Sequence, residues 1–312
     1  MMISRREMLK VSAGTGAALF LTRFPAFAQS PSILTRTIPS SGESIPAVGL
    51  GSWVTFDVWE SAAERAPLKE VLRRFREAGG TVFDTAPTYA ESEKVAGALA
   101  QELGIQNELF FATKISTRHR EVGVQQEKTS LRLWGRDTID LNQVHSLRGV
   151  DIHLPTIRKA KEEGRTRYVG VTTSSLRQFE RMEQVMQSEP LDFVQLNYSL
   201  GQRQAAERLL PLAQDKGIAI MVNLPYMHGR IFQTVRGHEL PEWAAEFDCK
   251  TWGQFFLKYI LAHPAVTVII PATSNPEHLV DNMAAGLGRL PDERTRRRME
   301  EFFDALPAPQ GR

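Results

Sequence analysis

Apolar residues fall into two alternating rhythms along the chain. Short apolar runs of four to seven residues, rich in β-branched and aromatic side chains, recur at 47–51, 81–84, 109–114, 139–145, 167–171, 191–196, 218–222 and 266–270. Between them, apolar positions return every three to four residues, the period of an amphipathic helix. These helical stretches lie at about 61–79, 91–103, 122–134, 153–163, 175–187, 203–215, 248–262 and 275–287, with one more near 292–305. Eight strands alternating with eight helices predict an α/β chain closed into a parallel (β/α)8 barrel of the TIM type. Runs such as 82–84, 110–114 and 266–270 are apolar on both faces, as strands covered from both sides must be. Ahead of the first strand, residues 35–53 read as an N-terminal β-hairpin turning at Ser41-Gly42.

Length and composition keep this picture simple. The chain has 312 residues, 42% hydrophobic and 24% charged, as in an ordinary globular protein. No linker or charge block divides the body, so residues 29–312 are expected to form one barrel domain. The longest irregular piece, 223–243, follows the seventh strand. It is expected to lie over the barrel mouth as a substrate lid.

Charge marks off the N-terminus. Residues 1–28 carry four basic side chains against Glu7, a net of +3, and the rest carries 34 basic and 35 acidic residues, a net of −1. A near-neutral body argues against a nucleic-acid partner. The run Arg294–Arg298 reads as the solvated face of the last helix. Arg5 and Arg6 stand before an apolar run, Val11–Leu21, and Ala26-Phe27-Ala28 forms a small-residue cleavage site. The run of about 11 residues is too short to span a bilayer, so stable membrane insertion is not expected. Residues 1–28 therefore read as a cleavable signal peptide. The segment resembles a twin-arginine signal, which implies the twin-arginine export machinery as a partner, passage in the folded state and a periplasmic location. Cys249 is the only cysteine, and seven scattered histidines show no metal-ligand spacing. Neither a disulfide framework nor a metal centre is expected.

Four polar residues interrupt the apolar strands at their C-terminal ends. Asp84 closes the second strand and Tyr89 follows in the strand-to-helix loop; Lys114 closes the third strand and His145 the fourth. Side chains at such ends converge on one cavity. A free phenol, with a pKa near 10, is a weak acid at neutral pH. The Lys114 ammonium would lower the pKa of Tyr89, and Asp84 would keep that ammonium charged. His145 would donate a hydrogen bond to a substrate oxygen. Together these parts suit reduction of a carbonyl. Trp53, Phe56 and Trp59 after the first strand, and Tyr226 and His228 after the seventh, suggest an aromatic rim for a sugar ring or an apolar aldehyde, with Trp53, Tyr226 and His228 as substrate contacts.

No dinucleotide-binding glycine fingerprint is present. Gly14 and Gly16 lie in the signal, and Gly49 and Gly51 lack a third glycine. The stretches 81–93, 109–114 and 140–146 resemble the aldo-keto reductase family, and the resemblance spans Ile38 to Ala285. It implies a nicotinamide dinucleotide extended across the barrel mouth, NADP(H) first and NAD(H) as the alternative. It implies that Gly51, Ser52 and Trp53 touch the nicotinamide ribose, that Thr172, Thr173 and Gln195 grip the carboxamide, and that Asn223 lies at the ring. Thr273 and His278 fall near the 2′-phosphate position, and Asp281 and Asn282 near the adenine. The chain departs from the family at Thr173, usually Asn, and at Asn223, often a stacking Tyr. It departs also at Ala272 and His278, where many members use Lys and Arg, so selectivity for NADPH should be lower than usual. Two other functions use the same residues: an exported binding or sensing protein on a reductase scaffold, and a lyase or epimerase without net redox change.

Overall fold

Alternation along eight short strands builds the barrel. The structure, a computed structural model, describes residues 32–59 and 61–307. The expected signal peptide lies outside the described residues. A hairpin of β1 (Thr35–Thr37) and β2 (Ser44–Pro46) comes first. The barrel strands follow as β3 (Leu50–Gly51), β4 (Val82–Asp84), β5 (Phe110–Ile115), β6 (Ile139–Val144), β7 (Thr166–Thr172), β8 (Phe193–Asn197), β9 (Ala219–Asn223) and β10 (Val266–Ile269). Neighbours in sequence pair in parallel from β3 through to β10. The ring closes where Gly49 N donates to Ile269 O at 2.8 Å and Gly51 N to Pro271 O at 3.2 Å. Gly51 permits this closure, because a Cβ there would stand 2.9 Å from Ile270 O.

The helices are α1 (Ala62–Glu77), α2 (Ser92–Glu102), α3 (Arg120–Trp134), α4 (Val150–Glu162), α5 (Phe179–Ser188), α6 (Leu209–Lys216), a short α7 (Ile231–Thr234), α8 (Trp252–Leu261), α9 (Pro276–Ala284) and α10 (Glu293–Asp304). Three, α5, α6 and α8, start at least four residues later than the periodicity predicts, and before α6 a 3₁₀ turn covers 204–206. Before α5, the Thr173 hydroxyl accepts the Ser175 N–H at 3.1 Å and a 3₁₀ turn fills 176–178. Before α8, a 3₁₀ turn covers 242–247 and Thr251 caps the helix by accepting from Gln254 N at 3.1 Å. Local side-chain bonds of this kind compete with helix propagation. Among the described residues no helix is long and apolar enough to cross a membrane.

Period-two alternation splits the apolar residues into two cores. Phe83, Phe111, Val169, Val171, Val194 and Leu196 point outward into the helix layer, where Trp134 stacks on Phe111 with centroids 4.3 Å apart. Phe110, Leu141, Tyr168, Phe193, Met221 and Val268 point inward and fill the lower lumen. The hairpin seals that lower end. Its Ile38 and Ile45 join the inward core, and Ser41 and Glu43 accept hydrogen bonds from the Tyr168 hydroxyl. With the bottom plugged, the barrel lumen opens at the opposite mouth, and the inward stripe turns polar there.

Two members of the expected aromatic rim are placed elsewhere. Phe56 is fully buried, edge-on to Phe83 at 5.4 Å, and belongs to the core. Trp59 is 78% exposed and does not line the cavity at the mouth.

Candidate active site

Toward the mouth, the inward stripes of β4, β5, β6, β8 and β9 carry Asp84, Lys114, Gln143, Gln195 and Asn223, all polar. Asp84 is the hub. Its Oδ2 accepts from Lys114 Nζ at 2.7 Å, and its Oδ1 accepts from Gln195 Nε2 at 2.8 Å and Gln143 Nε2 at 3.2 Å. Lys114 also donates to Thr85 O at 2.7 Å and is only 1% exposed. Burial by itself would push this ammonium to lose its proton, but the charges of Asp84 and Tyr89 outweigh burial and raise its pKa. A buried cation is stable only with such partners.

Tyr89 lies on the turn before α2, whose Ser92 N donates back to Tyr89 O at 2.9 Å. Lys114 Nζ stands 5.0 Å from its ring centroid. The expected depression of the phenol is not what this site produces. Burial raises it, the Lys114 ammonium lowers it, Asp84 raises it, and the net shift is upward. The ammonium divides its field between a full carboxylate at 2.7 Å and a more distant ring, so desolvation wins here. The cation limits the rise without reversing it.

His145 packs edge-on to Tyr89 at 5.8 Å. Its Nδ1 meets the hydroxyls of Ser116 at 3.0 Å and Thr88 at 3.3 Å, leaving Nε2 for a ligand. Burial, then the charges of Lys114 and Arg148, push this imidazole down to about 3. It is therefore neutral across the physiological range and serves as a donor rather than an acid. His263, in the helix layer, is pushed down to about 4 by burial and by Arg296. Both bind fewer protons folded than unfolded, where histidine titrates near 6.5. Their contribution is fully present above pH 6.5 and is lost as pH falls toward 4 for His263 and toward 3 for His145. The urea midpoint should drop between pH 7 and pH 5, and less steeply in the His145→Gln variant. An identical slope in that variant would remove His145 from the account.

These groups open on a cavity of about 1280 Å³ at the mouth. Gly51, Ser52, Trp53, Asp84, Tyr89 and His145 line one part of it, and Gln195, Asn223, Tyr226, His228, Thr273, His278, Asp281 and Asn282 line the rest. Lys114 stands behind Asp84, one layer from the surface. Thr172 and Thr173 do not line the cavity. Thr172 Oγ1 accepts from Ser146 N and Thr173 Oγ1 donates to Gln178, so one hydroxyl holds the turn after β6 and the other the turn before α5. The next residue, Ser174, lines the cavity instead. Trp53 meets the His228 ring at 4.9 Å, bridging the loops after β3 and β9. The Tyr226 hydroxyl donates to Asn282 Oδ1 at 2.6 Å, while Asp281 accepts from Thr251 and Gln254. The irregular piece after β9 thus reaches over the mouth through Tyr226, His228 and Phe232.

Sequence reasoning passed over Gln143, Thr88, Ser116, Phe232 and Trp252. Gln143 had a usable signal: it stands two positions before His145 within the predicted strand 139–145, hence on the same face of that run, and is polar in a run expected to be buried. Thr88 and Ser116 are ordinary loop hydroxyls with no such mark. Cys249 is buried with its thiol pushed up to about 12 by burial, so it offers no thiolate at neutral pH.

The model of the aldo/keto reductase family matches residues 47–300. The chain is 29% identical over 202 residues to aldo-keto reductase YhdN of Bacillus subtilis strain 168, a match spanning 60% of each chain. It is 26% identical over 285 residues to methylglyoxal reductase YeaE of Escherichia coli K12, covering 89% of this chain and 97% of that one. Among solved structures, an aldo/keto reductase from Klebsiella pneumoniae in complex with NADP and acetate superposes with a TM-score of 0.68 at 22% identity, covering 91% of this chain and 98% of that one.

Proposed function

Given that the chain belongs to the aldo/keto reductase family, we propose that it reduces an aldehyde, a ketone or an oxidised sugar with NAD(P)H, using Tyr89 as the general acid. The observation that carries this reading is the convergence of Tyr89, His145 and the Asp84–Lys114 pair on one cavity wall. A reduced nicotinamide supplies the hydride when bound. The chain's own residues do the rest. Neutral His145, its Nδ1 held by hydroxyls, offers an Nε2 donor to the substrate oxygen and fixes the carbonyl beside Tyr89. Tyr89 delivers its proton to that oxygen as negative charge grows there, and Lys114 stabilises the phenolate left behind. Asp84 keeps Lys114 charged through the cycle. Trp53, Tyr226 and His228 flank the entrance and would take an apolar or ring-shaped substrate edge.

The wall fits a dinucleotide. Asn223 Oδ1 is buried there without a protein partner, a free acceptor suited to a carboxamide N–H. The volume exceeds that of most drug-sized pockets. Thr273 and His278 would meet the 2′-phosphate end, and Asp281 and Asn282 the adenine. Ala272 and the exposed His278 supply no fixed cation there, so NADP(H) should lead NAD(H) by a small margin.

The first 28 residues support an exported protein, carried folded by the twin-arginine machinery to the periplasm and cleaved after Ala28. Folded export would let a cofactor leave with the chain. One experiment addresses both parts: protein recovered from the periplasmic fraction is melted alone, with NADPH and with NADH. At about 100 times the dissociation constant a ligand adds about 2.7 kcal/mol of stability. Both nucleotides should raise the melting temperature, NADPH slightly more at equal concentration. No shift with either would remove the reductase reading, and absence from that fraction would remove export.

A further inference from the structure

Lys114 accounts for one oxygen of Asp84, and the other oxygen carries two amides that are not equivalent. Gln195 lines the cavity, and its Oε1 accepts from Asn223 Nδ2 at 3.3 Å, so a ligand can reach it. Gln143 is fully buried and does not line the cavity. It sits beside Lys114 in the β5–β6 register and faces Gly170 in the β6–β7 register. A Cβ at Gly170 would stand 3.1 Å from Gln143 Cγ. The missing side chain leaves room for Gln143 to reach across the lumen to Asp84. Its Oε1 also accepts from Gln195 Nε2 at 3.4 Å, so it touches both members of the pair it joins. A buried amide is costly unless bonded, and an apolar residue of the same size would fill this space at less risk. The polar choice at 143 therefore answers a need of Asp84.

We propose that Gln143 is a positioning residue: it holds Asp84 Oδ1 so that Oδ2 stays on Lys114 when Gln195 turns its amide to a bound ligand. The proposal rests on the reductase reading above. Without Gln143, Asp84 keeps one amide that a ligand can take away. The carboxylate would then be free to turn, and Lys114 would follow it away from Tyr89. Tyr89 is faced by Asp84 from β4, Lys114 from β5 and His145 after β6. Glu93 on α2 lies behind Lys114, bonded by the hydroxyls of Thr113 and Ser130. Of these, only the Asp84–Lys114 geometry depends on Gln143.

The test is the ionisation of Tyr89 in Gln143→Met saturated with oxidised nucleotide, followed by ultraviolet phenolate absorbance as the difference from the same protein carrying Tyr89→Phe, together with the pH profile of alcohol oxidation. The phenolate transition and the acid limb of oxidation should both move up by about one pH unit, a tenfold change in proton affinity. Cofactor affinity measured by fluorescence should stay within about twofold, since Gln143 does not line the cavity. If Gln143→Met does not fold, Gln143→Leu removes the same amide and should produce the same upward shift. An unmoved transition in a folded variant, with only a lower melting temperature, would reduce Gln143 to packing. A wild-type protein inert with both nucleotides would overturn the reductase reading instead, and the phenolate titration would still decide the role of Gln143.

Discussion

Tyr89→Phe should lower the turnover of carbonyl reduction by about 10²–10⁴-fold, the usual contribution of a positioned general acid. The substitution removes one hydroxyl and keeps the ring, so the edge-on contact with His145 at 5.8 Å can persist. Asp84 and Lys114 keep their 2.7 Å pair. Cofactor affinity should therefore stay within about twofold, and the melting temperature should hardly move. The expected signature is a fall in kcat with an intact nucleotide-induced thermal shift. Loss of less than tenfold would mean that another group, or water, protonates the substrate oxygen. Loss of nucleotide binding along with turnover would mean that the hydroxyl shapes the cofactor site rather than the proton transfer. Wild type and variant equally inert toward a broad carbonyl panel, with binding kept, would favour a sensor built on this scaffold.

Lys114→Met should damage both stability and catalysis. Asp84 is 3% exposed, and removing its cation leaves a buried carboxylate held only by the amides of Gln143 and Gln195. Breaking one side of a buried pair costs about 3–5 kcal/mol. Urea denaturation should report that loss, with a fall in melting temperature on the order of 10 °C. Catalysis should fail too, because the phenolate of Tyr89 loses its nearest positive charge. The double variant Lys114→Met/Asp84→Leu separates the two effects. Replacing both charges by apolar groups is often neutral or stabilising, so the double variant should recover most of the stability and none of the turnover. A single variant as stable as wild type would mean that Asp84 takes up a proton at little cost, and the pair would not be the anchor of this wall.

The barrel was legible in the chain because period is a local property. Eight buried runs with helical stretches between them leave few ways to cover both faces of each strand. The predicted strands match the observed ones to within a few residues at each end, and the hairpin turns at Ser41-Gly42 as expected. Helix starts were less legible at α5 and α8, where single hydroxyls, those of Thr173 and Thr251, set the boundary. Asp84, Lys114 and His145 could be read for a related reason. Each is polar where a buried strand ends, and strand ends in a barrel meet.

Other assignments needed neighbours distant in sequence. Phe56 and Trp53 lie three positions apart on one loop, yet one is buried against Phe83 and the other edges the mouth. Thr173 and Ser174 are adjacent, and only the second lines the cavity. Gln143 gained its meaning from Gly170, which leaves it space, and from Asp84, which it reaches across the lumen.

The sequence by itself determined the barrel, its N-terminal hairpin and which residue types stand at its mouth, because alternation and strand-end position are encoded within a few neighbouring residues. Only the tertiary structure decided the sign of the Tyr89 shift, the neutrality of His145 and the sharing of Asp84 among three donors. Those outcomes depend on burial and on the separation of side chains from different strands, where desolvation and the charge of Lys114 oppose each other at Tyr89 and act together at His145. No local pattern carries that balance.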